Sequence, residues 1–184
     1  MKNSQGKNTK NSIKDVLIGL GISRPDSIKK FHPRVRDRKD VSVLRCEKSG
    51  VILLSRTDHM NISHYTAKEK FEYVPKSFVK GRGEIKKISY RDDMRRAEQF
   101  RDVITGRRWL DVGTGAGGIL DLLGPIAVKT YAVEPQENLR KELQSDGYSV
   151  FSCVEEAINK KIEIATLFHV FEHLIDPLDT LAKI

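Results

Sequence analysis

"WLDVGTGAGGILDLLG", Trp109 to Gly124, packs five glycines into sixteen residues, directly behind an apolar run that contains one aspartate. Glycines this dense cost backbone entropy, so something requires the close approach or the positive φ they permit. A strand, a glycine turn and a helix N-terminus together present free backbone N–H groups and the positive end of a helix dipole to a ligand. The order around this stretch fits that arrangement. "RWLDVG" has the composition of a buried strand, and "GGILDLLG" opens a helix.

Outward from there the chain alternates. "VKTYAVEP", "YSVFSC" and "IEIATLFHV" are expected strands, and "QENLRKELQSDG", "VEEAIN" and "DPLDTLAKI" are expected helices. Strand and helix in strict alternation predict an α/β unit with a parallel sheet joined by right-handed crossovers. Upstream, "DDMRRAEQFRDVITG" has helical period, with Met94, Ala97, Phe100, Val103 and Ile104 on one stripe and Gly106 as its stop. Residues 57–90, broken by Pro75, Gly81 and Gly83, are expected to form a linker with short elements. Before them "VSVLRC" and "VILLS" predict a β-hairpin across the loop "EKSG", and "SIKDVLIGL" predicts a helix ending at Gly21. Residues 1–11 are polar and aperiodic, a disordered tail. The resulting division is 1–11 tail, 12–90 small α+β N-terminal region, and 91–184 ligand-binding α/β domain.

Charge supports a division of labour. The chain of 184 residues carries a net charge of +8, yet residues 1–108 hold +14 and residues 109–184 hold −6. No run approaches the ~18 apolar residues of a membrane span. The two cysteines, Cys46 and Cys153, form no disulfide framework, which fits a cytoplasmic protein.

"GTGAGG" satisfies the dinucleotide pattern G-x-G-x-x-G, and Glu134 ends the next strand near the ~20-residue offset of a ribose-binding acid. Asp111 argues against a dinucleotide, because a carboxylate two residues before the first glycine repels a pyrophosphate. It suits a cationic ammonium instead. S-adenosylmethionine has that ammonium and a ribose diol for Glu134, and it has no phosphate.

"WLDVGTGAGG", "YAVEP" and "ATLFHVFEHLIDPLDTL" together resemble the class I, Rossmann-like S-adenosylmethionine-dependent methyltransferases. The particular resemblance is to the branch with an F-H-V-x-E-H-x-x-D-P signature after strand four, found in polysaccharide- and sugar-modifying methyltransferases. It covers residues 108–184. It implies that Asp111, Gly113, Thr114 and Gly115 bind the methionine part of the cofactor, and that Glu134 with Pro135 holds the ribose. It implies further that Val154 borders the adenine, and that Phe168 and His169 line the cofactor and acceptor pocket. An acceptor hydroxyl or carbon needs a base within hydrogen-bond reach, and His169, Glu172 and His173 are the candidate catalytic residues. Such a domain usually carries seven strands. Residues 108–184 supply four and stop in mid-helix, which predicts a truncated domain.

The N-terminal half resembles the module that precedes this domain in sugar-modifying members. "LRCEKSGVILLS" is similar to their C-x-x-C-G zinc-ribbon hairpin, but Ser49 stands where a second cysteine would be. Four ligands are the usual structural zinc demand, so no metal is expected and Cys46 is assigned to apolar packing. Tyr65, Phe71, Tyr73 and Tyr90 are assigned to core packing rather than to a lid. His59 and His64 are assigned to surface or hairpin packing. The basic run "KKFHPRVRDRK" is read as a solvated face, and its lack of stacking aromatics argues against nucleic acid.

Three functions stay open on these residues. One is a methyltransferase acting on a small acceptor, a nucleotide-linked sugar by the resemblance. The second is a nucleic-acid methyltransferase or binding module. The third is a non-catalytic remnant. The oligomeric state is not legible in the sequence.

Overall fold

The computed structural model describes residues 13–35, 38–56, 82–174 and 176–184, without the side chains of Glu84, Ile85 and Ile88. The expected tail 1–11, His59, His64, Tyr65, Phe71, Tyr73, Pro75 and Gly81 lie outside the described residues. The chain divides into two compact units, Met1–Asn61 and Ile62–Ile184.

The first unit holds helix α1 (Ile13–Gly19), a 3₁₀ turn (Pro25–Ser27) and three strands, β1 (Ile28–His32), β2 (Val43–Cys46) and β3 (Ile52–Leu54). They form an antiparallel sheet in the order β1-β2-β3. The predicted hairpin is β2–β3, with Val43 opposite Leu54 and Arg45 opposite Ile52. Strand β1 lies in "KKFHPRVRDRK", which is solvated as expected but was not expected to form a strand. Its four positions after Ile28 are exposed, so no apolar alternation betrays the strand. Cys46 is fully buried, as an apolar filler would be. It is nevertheless hydrogen-bonded: Ser27 Oγ lies 3.4 Å from its Sγ, and the Ser49 N–H donates to the sulfur at 3.4 Å. The hydroxyls of Ser23, Ser27 and Ser49 bring its thiol pKa down to about 6.

In the second unit a long helix, α2 (Arg82–Ile104), precedes a parallel sheet of β4 (Arg108–Val112), β5 (Lys129–Val133), β6 (Ser149–Phe151) and β7 (Ile164–Thr166). The sheet order is β6-β5-β4-β7, all pairs parallel. The connections are α3 (Gly118–Leu123), α4 (Glu137–Ser145) and a 3₁₀ segment (Val154–Lys160), and α5 (Pro177–Lys183) follows β7. The expected α/β architecture is therefore present.

Helix α2 departs from expectation. Periodicity marks it from residue 92, yet it begins at Arg82 and runs through Gly83. Of its expected stripe, Ala97, Phe100 and Ile104 reach the core, whereas Met94 and Val103 are exposed and Arg82 and Asp93 are buried instead. Buried charged residues such as Arg82 and Asp93 leave no apolar period to detect. Tyr90, assigned to core packing, is 57% exposed on this helix.

Residues alternate between the two faces of β4. Trp109 joins Ile104, Leu120, Leu123 and Leu143 in the core cluster that Ala97 and Phe100 of α2 cover. Leu110 and Val112 join Val133 and Ala157 on the other face. Asp111 shares the Trp109 face, and this orientation places the candidate site under helix α2.

Candidate functional site

The glycine loop turns sharply between β4 and α3, with Gly113, Gly115 and Gly117 all at positive φ. Added β-carbons at these glycines would meet different neighbours. At Gly113 one would fall 2.3 Å from Val170 Cγ2, and at Gly117 one would fall 2.5 Å from Leu143 Cδ2. At Gly118 one would fall 2.3 Å from Asp93 Oδ2. Three of the four loop glycines therefore admit protein. Gly115 is the exception, with nothing within 4 Å among the described residues.

The loop amides are largely occupied. The N–H groups of Gly113 and Thr114 donate to the Val133 carbonyl at 2.8 and 3.1 Å. The Gly115 N–H donates to Glu134 Oε2 at 2.8 Å, while the Gln136 N–H donates to Oε1 of the same carboxylate at 2.8 Å. Glu134 is 3% exposed. Burial pushes its carboxyl above the ordinary range, and the two N–H groups pull it back. The neighbouring carbonyls of Glu134 and Pro135 both accept from Arg140 Nη1. Thr114 Oγ1 is buried without a hydrogen bond of regular geometry among the described residues, yet it is close enough to Asp111 to help hold that carboxyl's pKa down.

Asp111 corrects the simplest form of its sequence reading. Its side chain is 2% exposed and does not stand free in the loop mouth. Thr166 lies opposite it on β7 and donates from Oγ1 to Oδ1 at 2.6 Å; Trp109 Nε1 in turn donates to Thr166 Oγ1 at 2.8 Å. Burial raises the Asp111 pKa to about 6 against the pull of Thr166.

Sequence reasoning missed Arg82 and Asp93, both on α2. Arg82 Nε donates to the Ala116 carbonyl at 2.8 Å, and its Nη2 donates to Asp121 Oδ1 at 2.5 Å. Its Nη1 meets Asp146, and its backbone N–H donates to Glu142 Oε2 at 2.7 Å. This arginine anchors the glycine loop to three helices. Asp93, 6% exposed, sets its carboxylate beside the first turn of α3, where the helix dipole favours an anion. Its sequence signal was Gly118, which makes room for it.

After β7 the backbone kinks. His169 has φ 55°, uncommon for a residue with a β-carbon. It is exposed, and its Nδ1 lies 3.3 Å from Glu172 Oε1. Its neighbour Phe168, expected to line the cofactor and acceptor pocket, faces helix α2. That ring packs on Phe100 at a centroid distance of 5.1 Å and under the Arg96 guanidinium at 5.2 Å, so it turns toward α2. His173 sits in the exposed 3₁₀ turn Phe171–His173, its N–H bonded to the Val170 carbonyl at 2.8 Å. Val154 opens the 3₁₀ segment after β6 and packs on the second core cluster.

The site is thus a glycine turn at the carboxyl edge of a parallel sheet, with one buried acid in β4 and one directly after β5. Against known families, a model of the methyltransferase domain matches residues 85–184, more than half of the chain. The chain belongs to the methyltransferase-domain family. Membership implies S-adenosylmethionine as the cofactor. Among solved structures, a SAM-dependent methyltransferase from Aquifex aeolicus is similar, with 24% identity and a TM-score of 0.42. The match covers 55% of this chain and 64% of that one, so this methyltransferase domain spans less than two thirds of that structure. No curated protein matches the sequence. No described helix is long and apolar enough to cross a membrane.

Proposed function

We propose that this chain binds S-adenosylmethionine in the glycine loop between β4 and α3 and transfers its methyl group to a small acceptor. The observation that carries this reading is the open space at Gly115, whose N–H is bonded to the buried Glu134 carboxylate. Backbone can approach a ligand closely there, and a carboxylate beside it can accept from a ligand hydroxyl or amine.

The residues fit the group. Glu134 would hold the ribose hydroxyls, exchanging its bond from Gly115 for theirs. Asp111, Gly113, Thr114 and Gly115 would receive the methionine part, Pro135 would flank the ribose, and Val154 would border the adenine. The bound cofactor supplies an electrophilic methyl on a sulfonium. Methyl transfer is an in-line displacement, so most of the catalysis can come from holding two reactants in line. His169, paired with Glu172, is the base we assign to the acceptor proton. Its left-handed backbone is the kind of strain found at functional sites. Glu172 would orient its ring, and His173 is the alternative base one turn on.

For the acceptor we propose a nucleotide-linked sugar in polysaccharide biosynthesis, in the cytoplasm. The support is the resemblance of "FHVFEHLIDP" and of the N-terminal hairpin to sugar-modifying members. We also assign the two regions separate work, residues 12–90 as a small appended domain and 91–184 as the cofactor domain.

The test is calorimetric titration of the folded chain with S-adenosylhomocysteine, with NADH as control and Asp111→Ala and Glu134→Ala alongside. Binding of the nucleoside alone, weakened in both variants, is the expected result. No binding by a chain that circular dichroism shows to be folded would overturn the reading.

A further inference from the structure

Helix α2 carries one buried and one largely covered arginine, and they are treated very differently. Arg82 has its guanidinium bonded to a carbonyl and two carboxylates. The Arg96 side chain is only 12% exposed, yet its nearest carboxylates are Asp93 Oδ1 at 3.6 Å and Asp92 Oδ2 at 3.9 Å. These are ion-pair separations, too long for hydrogen bonds. A guanidinium carries five N–H donors, and this one makes no hydrogen bond among the described residues. The guanidinium is thus largely covered and held only by long ion pairs, so its unused donors stand ready for a partner.

Its position says what that partner is. The guanidinium lies over the Phe168 ring, beside the carboxyl edge of β7. It belongs to the helix that covers the Trp109 and Asp111 face of β4. Its charge is among the influences holding the Asp111 carboxyl down. Asp93 does not complete it, because that carboxylate accepts from Ser89 Oγ at 2.6 Å and serves the start of α3. A cation and a buried acid thus stand together behind the glycine loop.

We propose that Arg96 is the counter-charge for the carboxylate of the cofactor's amino-acid end, a positioning residue that fixes the methionine part against Asp111. The inference rests on the cofactor reading above. The amino-acid end is a zwitterion, an ammonium and a carboxylate on one carbon, and it needs an acid and a base side by side. A planar guanidinium can take a carboxylate through two parallel N–H bonds, which sets direction as well as affinity.

The experiment compares two ligands by calorimetry: S-adenosylhomocysteine, which has the amino-acid end, and 5′-methylthioadenosine, a related nucleoside thioether without it. Arg96→Ala is expected to weaken S-adenosylhomocysteine by about 10- to 100-fold, the usual range for a hydrogen bond to a charged group, and to change methylthioadenosine by less than twofold. Arg96→Lys, which keeps the charge and the stem, is expected to fall between wild type and Arg96→Ala for the first ligand and to match wild type for the second. Unchanged affinity for S-adenosylhomocysteine, or equal weakening of both ligands, would overturn the role of Arg96. Failure of both ligands to bind the folded wild-type chain would instead overturn the cofactor reading, and the assignment of Arg96 with it.

Discussion

The Gly115 backbone N–H donates a 2.8 Å hydrogen bond to Glu134 Oε2, tying the glycine loop to the end of the neighbouring strand. The acid assigned to the ribose thus also holds the loop in place. Glu134→Gln keeps the size but turns one acceptor into an NH₂ that must face either the Gly115 or the Gln136 N–H. The expected outcome is at least tenfold weaker S-adenosylhomocysteine binding and faster hydrogen exchange at the Gly115 amide. Exchange at wild-type rate would mean that the bond does not organise the loop.

Gly113 and Gly115 separate packing from binding. Gly113→Ala collides with Val170 Cγ2 in a left-handed backbone and should cost more than the ~1–2 kcal/mol of that backbone alone. Val170→Ala should recover part of the loss in the double variant. Gly115→Ala meets open space and should cost only the backbone strain, yet its methyl would occupy the cradle and weaken nucleoside binding. Urea denaturation and calorimetry on the same four proteins test both halves.

Asp111 gives a pH signature of known sign. Its folded pKa of about 6 lies above the ordinary 3.8, so the folded state holds its proton more tightly than the unfolded chain. This group therefore costs stability as pH rises from about 4 to about 6, with the full penalty, roughly 3 kcal/mol, present above that window. Asp111→Asn removes the penalty while its amide oxygen can still accept from Thr166. The variant should gain on wild type as pH rises from 4 to 7, measured as the difference between denaturation midpoints. Wild-type affinity for S-adenosylhomocysteine should rise over the same window, and that of Asp111→Asn should not.

Arg82 should act as a structural clamp. Arg82→Met leaves the Ala116 carbonyl without its donor and weakens the pairing of Asp121, which keeps Tyr148 at 2.7 Å and a contact with Lys86. A loss of about 3 kcal/mol is expected, the lower part of the range for breaking a buried ion pair. Asp121→Asn in the same background should add less than its separate effect. Full additivity in urea midpoints would show that the two residues do not share a network.

His169 carries a left-handed backbone without glycine's freedom. His169→Gly should therefore stabilise the fold by about 1 kcal/mol while reducing methyl transfer at least 100-fold if the imidazole is the base. Higher thermal stability with full activity would transfer the base assignment to His173.

The sequence by itself determined the parallel sheet, the loop and the acids that end β4 and β5. These rest on local signals: apolar strands of period two, glycines at the turn, and alternation of strand with helix. It also exposed the region after β7, where a histidine pair and an acid crowd into five residues. Tertiary structure decided what each group faces. Four glycines look alike in sequence, yet one opens to solvent and three admit Val170, Leu143 and Asp93, because those neighbours come from elements 25 or more residues away. Asp111 faces Thr166 because β7 pairs with β4 in that register, a fact no local pattern contains. The polar part of the inner face of α2 was invisible for a related reason. Its buried Arg82 and Asp93 belong inside only because polar partners meet them, and hydrophobic periodicity records burial only when burial is apolar.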